Sequence, residues 1–378
     1  MKKRLLSAVL ATGLTAATLA GCTAGVEPAT PATPADPAEP AAPAEPAEPA
    51  ATDGAKKVGV AMPTKDLQRW NQDGDNMEKK LKEAGYEVDI QYASNDINTQ
   101  VTQIETMIAG GCDVLVIASI DGDSLGTVLA QAKEKNIPVI AYDRLIMNSD
   151  AVTYYATFDN KLVGTKQGQY LEEKLGLKEG KKANIEIFTG DPGDNNARFF
   201  YGGAMEVIKP YIDNGQVTVP SGQIEFDKVA TAEWKSENAQ TRMEAILSKN
   251  YAKGEKLDAV LCSNDSTAFG VATALANGYT GDYPLITGQD CDKPNVKLML
   301  EDKQAMSIFK DTRDLADKTV EMVDAILKGG EAPVNDTTTY DNGDHVVPSY
   351  LCEPVFADKS NYKSILIDSG YYSEDDLK

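Results

Sequence analysis

Short apolar runs alternate with amphipathic segments along most of the chain. Val58–Met62, Val88–Tyr92, Val114–Ala118, Val139–Ala141 and Tyr154–Thr157 are near-continuous apolar runs. That pattern predicts strands of a parallel sheet covered on both faces. Between them Val101, Ile104, Met107 and Ile108 are spaced for one face of a helix, which Gly110-Gly111 closes. A second series follows at Ile185–Phe188, Val217–Val219, Ala259–Cys262, Leu285–Thr287 and Met306–Phe309, with helices predicted over Asn238–Leu247 and Thr267–Ala276. Strand and helix in alternation predict an α/β doubly wound sheet. Two such series predict two lobes whose strand ends share a cleft. After Lys310 an amphipathic helix carrying Leu315, Val320, Val323 and Ile326 runs to Gly329-Gly330. The tail from Val346 to Lys378 has short apolar pieces, Val355-Phe356 and Ile365–Ile367, that pattern alone assigns to neither lobe.

In open parallel sheets ligands bind outside the carboxyl ends of the strands, so the residues that end each run are candidates for chemistry. The run at Val139 ends in Asp143-Arg144, and the first run is followed by Lys65-Asp-Leu-Gln-Arg-Trp70. The second series adds Asp191-Pro-Gly-Asp-Asn-Asn196, Ser263-Asn-Asp265, Gln289-Asp290 and Lys310. One Asp-Arg pair alone would read as a surface ion pair of little consequence. Repeated at several strand ends, these groups form a set of fixed donors and acceptors suited to vicinal hydroxyls. Of the two tryptophans, Trp70 lies in this set and Trp234 sits in Ala232-Glu-Trp-Lys-Ser236, both with polar flanks. Aromatic plates with a charged rim match the apolar faces and polar edge of a pyranose.

The N-terminus changes the picture of where the body works. Lys2, Lys3 and Arg4 precede an apolar run from Leu5 to Ala20, too short to span a bilayer comfortably and typical of an export signal. It ends in Leu19-Ala-Gly-Cys22, which resembles the bacterial lipoprotein cleavage box. That resemblance implies a signal peptide over residues 1–21 and lipidation of Cys22. From Pro28 to Pro49 a proline recurs every third residue, so residues 22–55 are expected to form an extended tether that holds the body off a membrane. The formal charge is -21, and without the three leader cations 34 basic face 58 acidic side chains, a charge of -24. Such a surface repels nucleic acid. Cys112, Cys262, Cys291 and Cys352 form no CxxC or Cys/His cluster, so no metal site is expected. A disulfide between Cys262 and Cys291 is conceivable in an exported protein, with buried free thiols preferred.

Several other functions have a foothold. Gly122-Asp-Ser-Leu-Gly126 matches the G-x-S-x-G of serine hydrolases, with His345 the only histidine available to Ser124. Ser124 is better expected near a helix N-terminus, where short polar side chains cap free N–H groups. Asp143 and Asp290 could pair as the acid and base of a glycosidase, but Arg144 and Lys310 would keep both ionised. A sugar-responsive repressor would carry a DNA-binding headpiece where this chain has its export signal. A quaternary-amine binder would carry more aromatic plates and no guanidinium.

Met62-Pro-Thr-Lys65, Arg69-Trp70, Ala141-Tyr-Asp-Arg144, Asp194-Asn-Asn-Ala197, Ser263-Asn-Asp265, Gly288-Gln-Asp290, Phe309-Lys310 and Val347-Pro-Ser349 occur in the order found in the sugar-binding receptors of bacterial ABC transporters. The chain resembles that family from about Lys57 to Lys378. The resemblance implies the type I periplasmic binding protein fold, two Rossmann-like lobes joined by a three-crossing hinge. The crossings are expected near Thr157–Asn160, Phe309–Thr312 and Val346–Pro348. Lobe 1 is then 56–158 and 311–345, and lobe 2 is 159–310 and 346–378. By position, Trp70 and Trp234 would stack on the two faces of an aldopyranose of the xylose, glucose or galactose type. Arg69, Asp143, Arg144, Asp194, Asn196, Asn264, Asp290 and Lys310 would bond its hydroxyls and ring oxygen, with Asp265 supporting them from behind. The implied protein is a monomer without cofactor, anchored by lipid at the extracytoplasmic face of the membrane. Its implied partner is an ABC permease, or alternatively a chemotaxis or signalling receptor.

Overall fold

A computed structural model describes residues 54–378; the expected signal peptide, Cys22 and nearly all of the tether lie outside the described residues. From its first strand the chain runs β1 (Lys57–Met62), α1 (Gln68–Glu83), β2 (Glu87–Tyr92), α2 (Ile97–Ala109), β3 (Val114–Ile117), α3 (Gly126–Glu134), β4 (Val139–Tyr142) and β5 (Val152–Phe158). It continues through α4 (Asn160–Lys174), β6 (Ala183–Phe188), α5 (Asn195–Asp213), β7 (Val217–Thr218), α6 (Phe226–Val229), α7 (Ser236–Asn250), β8 (Ala259–Cys262), α8 (Asp265–Gly278), β9 (Leu285–Ile286), α9 (Lys293–Leu300) and β10 (Ser307–Phe309). It ends with α10 (Thr312–Leu327), β11 (Ser349–Cys352), β12 (Val355–Ala357) and short helical turns.

The first lobe is built on a sheet of order β11-β5-β4-β3-β1-β2, with every pair parallel. Side chains alternate across it as the pleat requires. Leu115, Ile117, Val139 and Ala141 pack beneath α2 and α3 on one face, while Val114, Val116, Ile140 and Tyr142 join Met77 and Leu81 of α1 and Leu315 and Val323 of α10 on the other. This double coverage is why β3 and β4 read as unbroken apolar runs. Each fully buried Val, Leu, Ile or Met side chain among them contributes about 1.5–3 kcal/mol of transfer free energy.

The second lobe carries a parallel sheet of order β7-β6-β8-β9 and an antiparallel pair of β10 with β12. Val260 and Cys262 face α7 and α8, and Ala259 and Leu261 face the opposite layer. Helices α4 and α5 approach so closely that a Cβ on Gly164 would fall 1.9 Å from the Phe200 carbonyl oxygen, and one on Gly203 would fall 2.1 Å from that of Lys161.

One expectation is overturned. Ser349–Cys352 lies alongside β5 in the first sheet, with Ser349 opposite Tyr155 and Cys352 opposite Phe158. The chain therefore leaves the first lobe for the last time after Cys352, not at Val346–Pro348, and lobe 1 extends beyond residue 345. Parallel pairing with β5 supplies the backbone partners that an edge segment needs, and only then does β12 cross to pair with β10.

Candidate functional site

The strand ends of both lobes meet at a cavity. All ten residues expected to touch a ligand line it: Arg69, Trp70, Asp143 and Arg144 from the first lobe, then Asp194, Asn196, Trp234, Asn264 and Asp290 from the second, with Lys310 at a crossing. Each is less than 10% exposed, so the cleft is closed over them. Leu67, Phe200, Gln289 and Asp292 complete the wall and were not among the expected contacts. Phe200 sits within the apolar periodicity of α5 and reads as plain core; Gln289 and Asp292 flank Asp290 in a polar stretch that the strand-end rule covers.

Local structure explains how these side chains are aimed. Asp194 caps α5 by accepting from the Asn196 N–H at 2.9 Å, and Asn264 caps α8 by accepting from the Thr267 N–H at 3.1 Å. Strand-to-helix turns thus place capping side chains at the cavity, where helix N-termini also favour carboxylates. Asp143, Trp234 and Asp290 hold left-handed backbone, with φ of 57°, 56° and 96°. At Asp143 the cost is met by three bonds to its carbonyl, from Tyr155 Oη at 2.6 Å, Thr157 Oγ1 at 2.8 Å and Asn196 Nδ2 at 2.8 Å. The last crosses the cleft.

The charges interlock between lobes. Arg69 pairs with Asp73 at 2.8 Å and Asp143 at 3.0 Å, and reaches Asp290 of the second lobe at 3.6 Å. Lys310 lies 3.3 Å from Asp290 and 3.7 Å from Asp143. Arg144 does not pair with its neighbour Asp143; its Nε lies 2.9 Å from Asp194 across the cleft, while its Nη1 donates to the Ser119 carbonyl at 3.0 Å. The left-handed turn at Asp143 sends the two side chains different ways. Many of these contacts are close without being in line, so Arg69 Nη2, Arg144 Nε, Asp143 Oδ2 and Asp290 Oδ1 are buried with no directed hydrogen bond, as is Asp292 Oδ1. Buried polar groups are normally satisfied, so unspent donors and acceptors around a cavity point to a polar ligand rich in hydroxyls.

Burial works against the Asp143 carboxylate, yet Arg69, Lys310 and Arg144 together hold its pKa below the ordinary value. Burial raises Asp194 despite Arg144. It pushes Asp292 up to about 7, assisted by the like charge of Asp290 and opposed by Arg69 and Lys310. Asp265 does not line the cavity. Its carboxylate accepts from Gln304 Nε2 at 2.8 Å, Ser307 Oγ at 2.9 Å and the Asp292 N–H at 2.9 Å, which braces the Gly288–Asp292 loop from behind.

The aromatic pair is asymmetric. Trp70 packs into the first-lobe core with the Arg69 and Arg144 guanidiniums 4.5 and 5.0 Å from its ring centroid. Trp234 donates from Nε1 to Asp194 at 3.1 Å and rests on Gly190, where a Cβ would fall 1.9 Å from its ring.

Ser124 lies two residues before α3, near a helix N-terminus as expected, but it does not cap that helix. Its hydroxyl donates to the Asp121 carbonyl at 2.9 Å, and Leu125 occupies the N-cap of α3, so Ser124 caps no helix N–H. His345 contacts Asp344 and the Val152 carbonyl rather than this serine. Instead the Gly122 N–H donates across the cleft to the Gly193 carbonyl at 3.1 Å. Cys262 and Cys291 are buried free thiols. Among the described residues no group of side chains could hold a metal ion, and no helix is long and apolar enough to cross a membrane.

Residues 58–331 match the family described as a periplasmic binding protein domain. The multiple sugar-binding periplasmic protein SbpA of Azospirillum brasilense is 53% identical over 85% of this chain and 91% of its own length. The multiple sugar-binding periplasmic receptor ChvE of Rhizobium radiobacter is 52% identical over 85% and 92%. Among solved structures, an ABC transporter solute binding protein from Clostridium phytofermentans with bound β-D-glucose is 72% identical, superimposes with a TM-score of 0.85, and covers 85% of this chain and all of its own. Two lobes of parallel sheet, a closed cleft between their strand ends and these relationships together place the chain in the periplasmic binding protein family, with the type I fold.

Proposed function

We propose that this protein is an extracytoplasmic receptor that closes on an aldopyranose of the xylose, glucose or galactose type and delivers it to an ABC permease. The observation that carries this reading is the ring of buried, incompletely bonded charges around one enclosed cavity. Neutral hydroxyls can accept from Arg69, Arg144 and Lys310 and donate to Asp143, Asp194 and Asp290, with Asn196 and Asn264 serving both directions. Trp70 and Trp234 supply the apolar plates. Charge-assisted bonds contribute about 1.5–3 kcal/mol each, and a few net ones suffice for a micromolar site of roughly -8 kcal/mol. The relatives bearing sugar-binding names, and the related protein solved with β-D-glucose, support the ligand class and a transport rather than catalytic role. Closure by hinge motion would present the loaded form to the permease. Lipidated Cys22 and the proline-rich tether would hold the body at the outer face of the membrane.

A thermal-shift panel of monosaccharides on the body from Lys56 onward tests the ligand. Melting should rise with one or a few aldopyranoses, since a ligand that binds only the native state stabilises it by mass action. Trp70→Ala or Asp143→Ala should weaken calorimetric affinity at least tenfold, about 1.4 kcal/mol or more. Unchanged affinity in both variants would remove the site assignment, and no shift with any sugar, in ligand-stripped protein, would remove the sugar.

A further inference from the structure

The C-terminal residues after β12 form their own small core with the second lobe, where Leu366 and Tyr372 pack with Cys291, Val296 and Phe309. Tyr372 is 4% exposed, and its ring stacks edge-on against Tyr371. Its hydroxyl stands outside the cavity and joins three partners. It accepts from Gln68 Nε2 at 2.7 Å and Gln72 Nε2 at 3.3 Å, both on α1 of the first lobe, and donates to the Cys291 carbonyl of the second lobe at 3.0 Å. The Lys293 N–H closes the loop by donating to Gln68 Oε1 at 3.1 Å.

Position gives this junction its meaning. Gln68 immediately precedes Arg69 and Trp70, and Cys291 immediately follows Asp290, so one hydroxyl ties together the two backbone segments that carry facing walls of the cavity. Asp290 and Cys291 both hold left-handed backbone, which persists only where neighbouring bonds over-determine it. We infer that Tyr372 is a closure latch, a positioning residue that fastens the first-lobe helix α1 to the Asp290–Cys291 turn of the second lobe and sets how long the closed receptor keeps its ligand. This rests on the reading of the cavity as a sugar site.

A latch made only in the closed form acts on dissociation and leaves the encounter of open protein with ligand alone. Tyr372→Phe keeps the ring in its core and removes only the hydroxyl. Sugar dissociation followed by stopped flow should accelerate about three- to tenfold, the range of one hydrogen bond, with the association rate unchanged. The ligand-free melting temperature should stay at that of the parent. Gln68→Ala should also accelerate dissociation, and the double variant should lose less than the sum of the two single ones, because the Gln68–Tyr372 bond is common to both while Gln68→Ala alone also loses the bond from the Lys293 N–H. Parental dissociation rates in Tyr372→Phe, or a fall in ligand-free melting that matches the loss of affinity, would overturn the latch in favour of plain packing. Spin labels on the exposed positions of Lys79→Cys and Lys249→Cys, one on each lobe, separate this idea from the sugar reading. If the parent bound no sugar, that reading would fall, and interlobe distances alone would decide. A shorter-distance population in the parent that Tyr372→Phe loses supports the latch; identical distributions overturn it.

Discussion

Asp143, Trp234 and Asp290 each give up a relaxed backbone, at a cost of about 1–3 kcal/mol apiece, so that side chains at strand ends turn into the cavity. Trp234 also needs a floor with no side chain. Gly190 provides it, and its backbone is not left-handed, so a larger residue there would strain nothing except the contact with the ring. Gly190→Ala should therefore displace Trp234, fold normally by circular dichroism, and bind sugar at least tenfold more weakly by calorimetry, a loss of about 1.4 kcal/mol or more. Asp292 makes a different prediction. Its native pKa of about 7 lies above the unfolded value near 3.8, so the folded state binds the proton more tightly. The sign follows: stability from this group is fully present below about pH 4 and is lost as pH rises through 7. Asp73, raised to about 6 by burial despite Arg69, acts in the same direction, whereas the lowered Asp143 withdraws stability only in more acid solution. The urea midpoint should thus rise from pH 8 to pH 5, and Asp292→Asn should flatten that slope. Its full shift would correspond to about 4 kcal/mol, an upper bound reduced by solvent screening of a half-buried side chain.

Elements were legible in proportion to how completely they are buried. Strands covered on both faces, such as Val114–Ile117 and Val139–Tyr142, advertise themselves as apolar runs, and the Asp143-Arg144 that follows the second lines the cavity. Ser349–Cys352 did not, because an edge strand with two half-exposed positions carries no such run. Its membership of the first sheet is a long-range fact of pairing with β5. The cavity wall was legible as a set of residues and not as a set of partners. That Arg144 would reach Asp194 rather than Asp143 depends on one left-handed turn, and Phe200 is hidden by the helical period it shares with core residues. The α4–α5 pair shows how an element can govern the site from outside. Gly164 and Gly203 let the helices touch backbone to backbone, and α5 carries Asn196 and Phe200 into the cavity. Gly203→Val should cost about 1–3 kcal/mol in urea unfolding through overpacking, and should weaken sugar binding as well. A fall in stability with affinity untouched would show that α5 shifts without its cavity end.

For the whole molecule, closure brings together groups from opposite lobes, and the chain contains two tryptophans, both of them in the cavity wall. One is fixed in the first lobe beside two guanidiniums, the other in the second lobe beside a carboxylate and Phe200. No tryptophan elsewhere dilutes their signal, so tryptophan emission, excited selectively over the tyrosines, reports on the cleft. Charged groups near an indole shift its emission, and Asp194 of the second lobe lies 2.9 Å from Arg144 of the first, so a change in how the lobes meet would change which charges are near. Adding a bound aldopyranose should therefore change both the intensity and the wavelength of emission, with a midpoint equal to the calorimetric dissociation constant. Trp70→Phe and Trp234→Phe should each retain part of the change, since either remaining indole still senses the lobes meeting. The double variant should give none while the calorimeter still registers weakened binding. If calorimetry reported sugar binding in the parent while its tryptophan emission stayed constant, the sugar would have to lie elsewhere, because no ligand could enter this cavity or close this cleft without altering the surroundings of at least one indole.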